Sequence, residues 1–302
     1  MLLPACQRGN MELSQLRRSA GGKIAYYFSP RLSGPGRSGR PLGVQQLRET
    51  SLRNQFFWYD LVTTDTAAAA KFYGAVVGWS YQDMSQPDNA YGIFKVGDAG
   101  VCGLMPFPHG MQGHPGWNGY IAVDDVDAMA ERLKAEGGTI YRGPIEVPGI
   151  IKFAVVADPQ GAVFIIAKGL ADRPMSELPL GTPGTVGWRE LFATDWQSDF
   201  EFYAKQFGWT KAAAHNMGEG GIYQLFAAGG HPIGGMMNRP VVMPTSWWNY
   251  YINVESIDAA KARVEEAGGT VKMGPMEVPG GQWVLQAQDP QGAYFALVAP
   301  KR

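Results

Sequence analysis

FFWYDLVTTDTAAAAKFYGAVVGW, residues 56–79, and VGWRELFATDWQSDFEFYAKQFGW, residues 186–209, follow one plan. Trp58 recurs as Trp188, Asp65 as Asp195, Phe72-Tyr73 as Phe202-Tyr203 and Gly78-Trp79 as Gly208-Trp209, each 130 positions on. An acid stands two places after each tryptophan, first Asp60 and then Glu190. Further along, the correspondence holds at an offset of 131. Trp117-Asn118 returns as Trp248-Asn249, Gly143-Pro144 as Gly274-Pro275, and Glu146-Val147-Pro148-Gly149 as Glu277-Val278-Pro279-Gly280. The turn Asp158-Pro159-Gln160-Gly161 returns as Asp289-Pro290-Gln291-Gly292. Similarity at a long fixed period marks a duplicated structural unit. Two homologous domains are expected, at 52–169 and 183–302, with the Pro-containing stretch 170–182 as linker.

Local signals divide each domain again. In the first half, residues 56–62 read as a strand, Asp65 as an N-cap, and residues 67–77 as a helix stopped by Gly78. Strand-like runs follow at 92–96 and 101–105. In the second half a strand at 120–123 leads to a helix at 126–136, ended by Gly137-Gly138. Strands near 139–142, 153–157 and 163–167 follow, the last two joined by a tight turn. Strand, helix and three strands make a βαβββ unit, present four times. One such unit leaves an apolar sheet face bare, so two must pair to cover it. Two curled sheets then enclose a cleft lined by alternate side chains. The expected class is α+β: four βαβββ units paired into two incomplete-barrel domains.

Composition narrows the possible partners. The 302 residues carry 26 basic and 27 acidic side chains and are 45% hydrophobic, enough for substantial cores. Residues 1–50 hold eight Lys or Arg against Glu12 and Glu49, so the remainder is mildly acidic, which argues against a nucleic-acid surface. No apolar run approaches the ~20 residues that span a bilayer. Cys6 and Cys102 show no metal or redox spacing, which points to free thiols in a reducing, cytoplasmic setting. The Arg-, Gly- and Ser-rich segment 1–51 reads as a disordered basic extension or the product of an upstream start, Met11 being available. Its first five residues are too short for a signal core.

Four motifs in fixed order, used twice, resemble the vicinal oxygen chelate superfamily, which includes glyoxalase I, extradiol dioxygenases and bleomycin-resistance proteins. They are the paired helix-then-three-strand units, the pattern D-x6-F-Y-x4-G-W from Asp65 to Trp79, the Gly-Gly helix end at Glu136-Gly137-Gly138 that returns as Gly268-Gly269, and the D-P-x-G turn. The opening W-x-[DE]-L-x-x-x-D at Trp58 and Trp188 resembles bacterial two-domain glyoxalase-like proteins. The resemblance covers everything after Ser51 and implies two glyoxalase-like domains. In the family's metal-using members a divalent ion is held by His, Gln or Glu from the first and last strands of each unit. Those positions here fall on Trp58 and Trp188, on Asn118 and Asn249, and on Ile165 and Ala296. Residues 99–105 and 229–238 contain no acid, and His231 is the one ordinary ligand type among them. Amide oxygens alone hold first-row ions weakly. No metal and no other cofactor is therefore expected, with a divalent metal as the alternative. His109, His114 and His215 fall in expected loops, and without a carboxylate partner they do not close a site.

If the family's ligand position faces the cleft, the residue two along shares that face. Trp58 then stands with Asp60, Trp188 with Glu190, Asn118 with Tyr120, and Asn249 with Tyr251. An indole, a carboxylate, an amide and a phenol suit an organic ligand: the rings supply apolar area and the polar tips fix orientation. A carboxylate beside an indole should have a raised pKa, which makes Asp60 and Glu190 the candidate catalytic bases. A structural alternative stands beside this reading. In it the tryptophans are core and the acids pair with a neighbour such as Arg189 or cap backbone amides. Glu146 and Glu277 read as solvent-facing members of a Pro-Gly loop. Cys102, set against Ile233 in the repeat, reads as a small buried hydrophobe.

Two function classes follow. The first is a metal-independent small-molecule-binding protein that sequesters an amphipathic or aromatic compound, as bleomycin-resistance relatives do. The second is a glyoxalase- or dioxygenase-type enzyme with a displaced metal site or acid-base chemistry by Asp60 and Glu190. The missing ligands favour the first. Four units complete two clefts within one chain, so a monomer suffices. The ligand's identity and the number of working clefts stay open.

Overall fold

The computed structural model describes residues 53–86, 89–110, 113–170 and 178–302. The expected extension at 1–51, Cys6 and most of the expected linker lie outside the described residues.

The first sheet's strands are β1 (Phe56–Thr63), β2 (Ser80–Asp83), β3 (Gly92–Val96), β4 (Ala99–Pro106), β5 (Gly116–Ala122), β6 (Thr139–Val147), β7 (Ile151–Ala157) and β8 (Val163–Gly169). The helices α1 (Thr66–Val77) and α2 (Val126–Ala135) follow β1 and β5. The second sheet repeats the plan with β9 (Val186–Ala193), β10 (Thr210–Asn216), β11 (Ile222–Ala228), β12 (His231–Asn238), β13 (Trp247–Asn253), β14 (Thr270–Val278), β15 (Gln282–Gln288) and β16 (Tyr294–Ala299). Its helices are α3 (Trp196–Phe207) and α4 (Ile257–Glu266). Strand order in the first sheet is β2-β3-β4-β1-β5-β8-β7-β6, and the second is its counterpart, β10-β11-β12-β9-β13-β16-β15-β14. The edge strands of each sheet do not pair with each other, so each stays an open, incomplete barrel. The class is α+β, with two domains of paired βαβββ units. Among the described residues, no helix is long and apolar enough to cross a membrane.

The repeated caps explain where the first helices begin and end. The Asp65 carboxylate accepts the Ala68 amide at 2.9 Å, and Gly78 closes α1 at φ +86°, a conformation open to glycine. Ala69, Phe72, Tyr73 and Val76 are buried at the i, i+3, i+4, i+7 spacing of one helical face. That face lies in the same buried core as Leu61 and Ile121 on the inner side of the sheet.

Several boundaries differ from the sequence reading. Strand β2, SYQD, is exposed throughout and sits at a sheet edge, so it carries no apolar alternation to reveal it. Strand β5 starts at Gly116 rather than at residue 120. Glu146 and Glu277 are not in a loop: both lie on edge strands, paired with Lys152 and Trp283. Pro144 and Pro275 are tolerated there because register shifts interrupt the ladder around them. His215 also lies on a strand, β10, rather than in a loop.

The remaining repeated motifs join the two halves. Tyr73 donates its hydroxyl to Asp289 Oδ2 at 3.1 Å and accepts the Trp117 indole at 3.0 Å. Reciprocally, Tyr203 donates to Asp158 Oδ2 at 2.9 Å and accepts the Trp248 indole at 2.9 Å. Trp79 donates to the Gly184 carbonyl and Trp209 to the Asn54 carbonyl. The aspartate of each D-P-Q-G turn thus clasps the Phe-Tyr helix of the other half. One hydrophobic cluster runs through both domains on the helical side. The opposite face of each sheet carries its own smaller cluster, and the candidate site lies there.

Candidate functional site

Strand register places the candidate side chains of the first domain together. Across β1 and β5, Trp58 faces Tyr120 and Asp60 faces Asn118; on the flanking strands Gly103 lies beside Asp60 and Ile165 beside Tyr120. Directly opposed residues share a face, here the one turned away from the helices. Trp58 is half-buried and packs with Phe57, Tyr120, Phe153 and Val155. A register shift between Phe56 and Trp58 lets Phe57 join this face while Phe56 stays in the helical core.

Asp60 is the polar centre of that face and is only 2% exposed. Its Oδ1 accepts the Trp58 indole at 2.8 Å and the Tyr91 hydroxyl at 2.9 Å, and its Oδ2 accepts the Tyr120 hydroxyl at 2.5 Å. The Gly103 amide also donates to the carboxylate. Burial pushes the Asp60 pKa up, and these four donors pull against it. The phenols of Tyr91 and Tyr120 are raised by burial and by the adjacent charge, so they stay protonated donors. Only glycine fits beside the acid: a Cβ on Gly103 would lie 2.0 Å from Asp60 Oδ1 and 2.1 Å from the Tyr91 hydroxyl.

The second domain uses the same frame with different wiring. Trp188 faces Tyr251 and Glu190 faces Asn249, while Gly235 flanks Glu190 and Ala296 flanks Tyr251. The Trp188 indole donates to the Tyr223 hydroxyl at 2.8 Å and not to the acid. Tyr223 in turn donates to Glu190. Glu190 Oε2 accepts the Tyr251 hydroxyl at 2.6 Å and the Gln286 amide at 3.2 Å. Burial raises the Glu190 carboxyl to about 7, opposed by the tyrosine donors. Asn249 is buried, and its side-chain oxygen accepts the neighbouring Tyr250 amide at 3.2 Å.

Two expectations about neighbours need correction. Arg189 does not pair with either acid. It alternates to the helical face, where its Nε donates to the Tyr59 hydroxyl at 2.6 Å and its Nη2 to the Val186 carbonyl at 3.1 Å. The counterpart of Cys102 is Gly234 rather than Ile233, because Gly103 lies beside Asp60 as Gly235 lies beside Glu190. Cys102 is fully buried, and burial raises its thiol pKa, which suits a small hydrophobe. Tyr91, Tyr223 and Gln286 were not read from the sequence. The two tyrosines lie 132 positions apart, off both offsets that mark the repeat, and Gln286 stands where the first half has Val155.

The donors at the family's metal positions do not fit a first-row divalent ion. Trp58 and Trp188 present N–H donors, Ile165 and Ala296 present hydrocarbon, and the Asn249 oxygen is already engaged. Among the described residues there is no group of three or more His, Cys, Asp or Glu able to hold a metal ion. Two surface hollows, of about 130 Å³ beside Arg53 and Arg132 and of about 500 Å³ beside Pro183 and Lys301, include none of the candidate side chains.

The family model for the glyoxalase/bleomycin resistance protein/dioxygenase superfamily matches residues 55–166 and again 185–297. The chain belongs to this superfamily. It is 32% identical over 249 residues to the Mycobacterium bovis protein named "Putative glyoxylase CFP32", covering 80% of this chain and 94% of that protein. It is equally 32% identical over 259 residues to the anthracycline biosynthesis protein DnrV of Streptomyces peucetius, covering 80% and 91%. Among solved structures, the Mn(II)-bound glyoxalase of Novosphingobium aromaticivorans superposes with a TM-score of 0.58 at 16% identity, covering 82% of each chain. The 2,3-dioxygenase LapB of Pseudomonas sp. KL28 superposes with 0.57 at 12% identity, covering 82% of this chain and 93% of that one. These superpositions establish that the chain shares its fold with a Mn(II)-bound glyoxalase and a 2,3-dioxygenase.

Proposed function

We propose that this protein binds a small amphipathic or aromatic compound on the indole- and phenol-lined faces of its sheets, without a metal ion. The observation that carries this reading is the fate of the single acid on each face. Asp60 and Glu190 are engaged by indole, phenol and amide donors, and indoles occupy the positions where metal-using relatives place ligands. The half-buried rings of Phe57 and Trp58, and of Trp188, offer flat apolar area to a planar ligand, with Tyr120 and Tyr251 buried beside them. The Streptomyces relatives named for anthracycline biosynthesis support an aromatic ligand class. One chain supplies both faces, so binding does not require a dimer.

A second reading is favoured by one observation. Glu190, held at about 7, is poised as a general acid or base near neutrality. On that reading the protein is an enzyme whose second domain moves a proton to or from a bound substrate.

The deciding measurement is ligand binding and metal content on the same preparation. Protein dialysed against a chelator, and shown metal-free by elemental analysis, should bind naphthalene- or anthraquinone-sized aromatics as tightly as untreated protein. A stoichiometric metal whose removal abolishes binding would overturn the metal-free reading. Turnover of a bound compound that disappears in Glu190→Gln would establish the second.

A further inference from the structure

The two acids differ in how completely the protein has used them. An ionised carboxylate offers about four acceptor positions. Around Asp60 four are taken, by Trp58, Tyr91, Tyr120 and Gly103. The strand facing this group in the first domain contributes Phe153 and Val155, which offer no polar atom. The first face therefore presents a closed polar unit set in hydrocarbon.

In the second domain Gln286 replaces Val155, in register with Ala296 where the first domain pairs Val155 with Ile165. Its Nε2 donates to Glu190 Oε2 at 3.2 Å and to the Tyr251 hydroxyl at 2.8 Å. Those two acceptors are themselves only 2.6 Å apart, so one amide hydrogen serves both in a three-centre bond and ties the carboxamide to the acid–phenol pair. No hydrogen bond to the Gln286 Oε1 exists among the described residues, and Gln286 is half-buried rather than sealed. Ala296 occupies less of the floor than Ile165 does. Trp188, Met276 and Val278 provide apolar walls.

Resting on the reading of these faces as ligand sites, we propose that the two are unequal. The second takes the polar end of the ligand, and Gln286 sets specificity by accepting a hydrogen bond at Oε1 from a hydroxyl on an aromatic ring. Gln286 also buttresses Glu190 and Tyr251, so one side chain couples the ligand's hydroxyl to the buried acid. The first face takes apolar rings without discriminating for a hydroxyl.

The test is equilibrium dialysis of full-length protein with 2-naphthol and with naphthalene, on wild type, Gln286→Val and Gln286→Glu. Wild type should prefer 2-naphthol, with one preferred site per chain. Gln286→Val, which installs the first domain's residue, should lose that preference by roughly tenfold, the worth of about 1.4 kcal/mol of hydrogen bonding, while still binding naphthalene. Gln286→Glu keeps an acceptor but sets a second carboxyl against Glu190 in place of the amide donor, so it should retain the preference at pH 5, where the pair holds a shared proton. If Gln286→Val keeps the preference, or loses naphthalene and 2-naphthol in equal proportion, Gln286 is packing and the proposal is overturned. Two equivalent hydroxyl-selective sites per chain would overturn the inequality while leaving the ligand-binding reading intact. If wild type binds neither compound, the ligand-binding reading fails and takes this inference with it.

Discussion

Glu190 couples the state of one proton to the stability of the fold. Its carboxyl is raised from an ordinary 4.5 to about 7, so the folded state holds the proton more tightly than the unfolded chain. A raised carboxyl contributes its full stabilisation below the unfolded value and loses it as pH climbs through the folded one, a swing of about 3 kcal/mol. Stability should fall between pH 5 and 8 on this account, and Glu190→Gln should flatten that part of a melting-temperature profile. A profile as steep in the variant as in wild type would show that Glu190 does not carry the effect. Asp199 shifts the same way, to about 8, through burial and the nearby charges of Asp158 and Asp195. Its Oδ2 is buried without a hydrogen-bond partner, and the equivalent residue of the first half is Ala69. Asp199→Ala is accordingly expected to stabilise the protein by about 1–2 kcal/mol at pH 9 and by less at pH 6, as read by denaturant unfolding. A loss of stability at pH 9 would mean that its interaction with the α3 N-terminus outweighs its burial.

At the level of strands and turns, the glycines beside the acids matter as much as the acids. A Cβ on Gly235 would fall 2.3 Å from the Tyr223 ring, and Tyr223 links the Trp188 indole to Glu190. Gly235→Ala should therefore displace Tyr223, cost about 1–3 kcal/mol, and change the near-ultraviolet dichroism through Trp188. A wild-type spectrum in that variant would show that the strand has room to yield. These strands also mark what a sequence can and cannot reveal. Asp65 and Asp195 announce their helices because capping is local chemistry, and Trp58, Asp60, Asn118 and Tyr120 fall on one face because strand alternation is strictly twofold. Strands β2 and β10 were hard to see because an exposed edge strand needs no apolar pattern. Tyr91 and Tyr223 escaped because the segments before β3 and β11 differ in length, which moves the tyrosines off the offsets that expose the repeat. Gln286 has no repeated partner, and only the assembled sheet brings it to Glu190. The repeated Phe-Tyr, Gly-Trp and D-P-Q-G motifs were legible as motifs. Their purpose was not, since it depends on contacts between the two halves, 45 to 216 residues apart in the chain.

Across the whole molecule, those contacts tie the two domains to each other. Each clasp joins an indole, a phenol and an aspartate: Trp117 to Tyr73 to Asp289 in one direction, and Trp248 to Tyr203 to Asp158 in the other. Both tyrosines are fully buried, so no solvent can replace a lost partner. Tyr73→Phe removes one oxygen but strands two polar groups, the Trp117 indole N–H and Asp289 Oδ2, at a cost of about 1–3 kcal/mol. Asp289 keeps its turn bonds from Gln291 and Ala293, so the loop itself should survive. The core between the helices is continuous through both halves, and Phe56 of β1 packs on Trp209, Trp248 and Tyr250. Calorimetry should then show one transition in wild type and one, at lower temperature, in Tyr73→Phe and in Tyr203→Phe. The double variant should lose about the sum of the two, because the clasps share no partner. If Tyr73→Phe instead splits the melt so that one half unfolds at the wild-type temperature, the domains are stable on their own and the clasp only aligns them. A single lowered transition would mean that duplication here produced one folding unit, in which each half depends on the other to bury its helices.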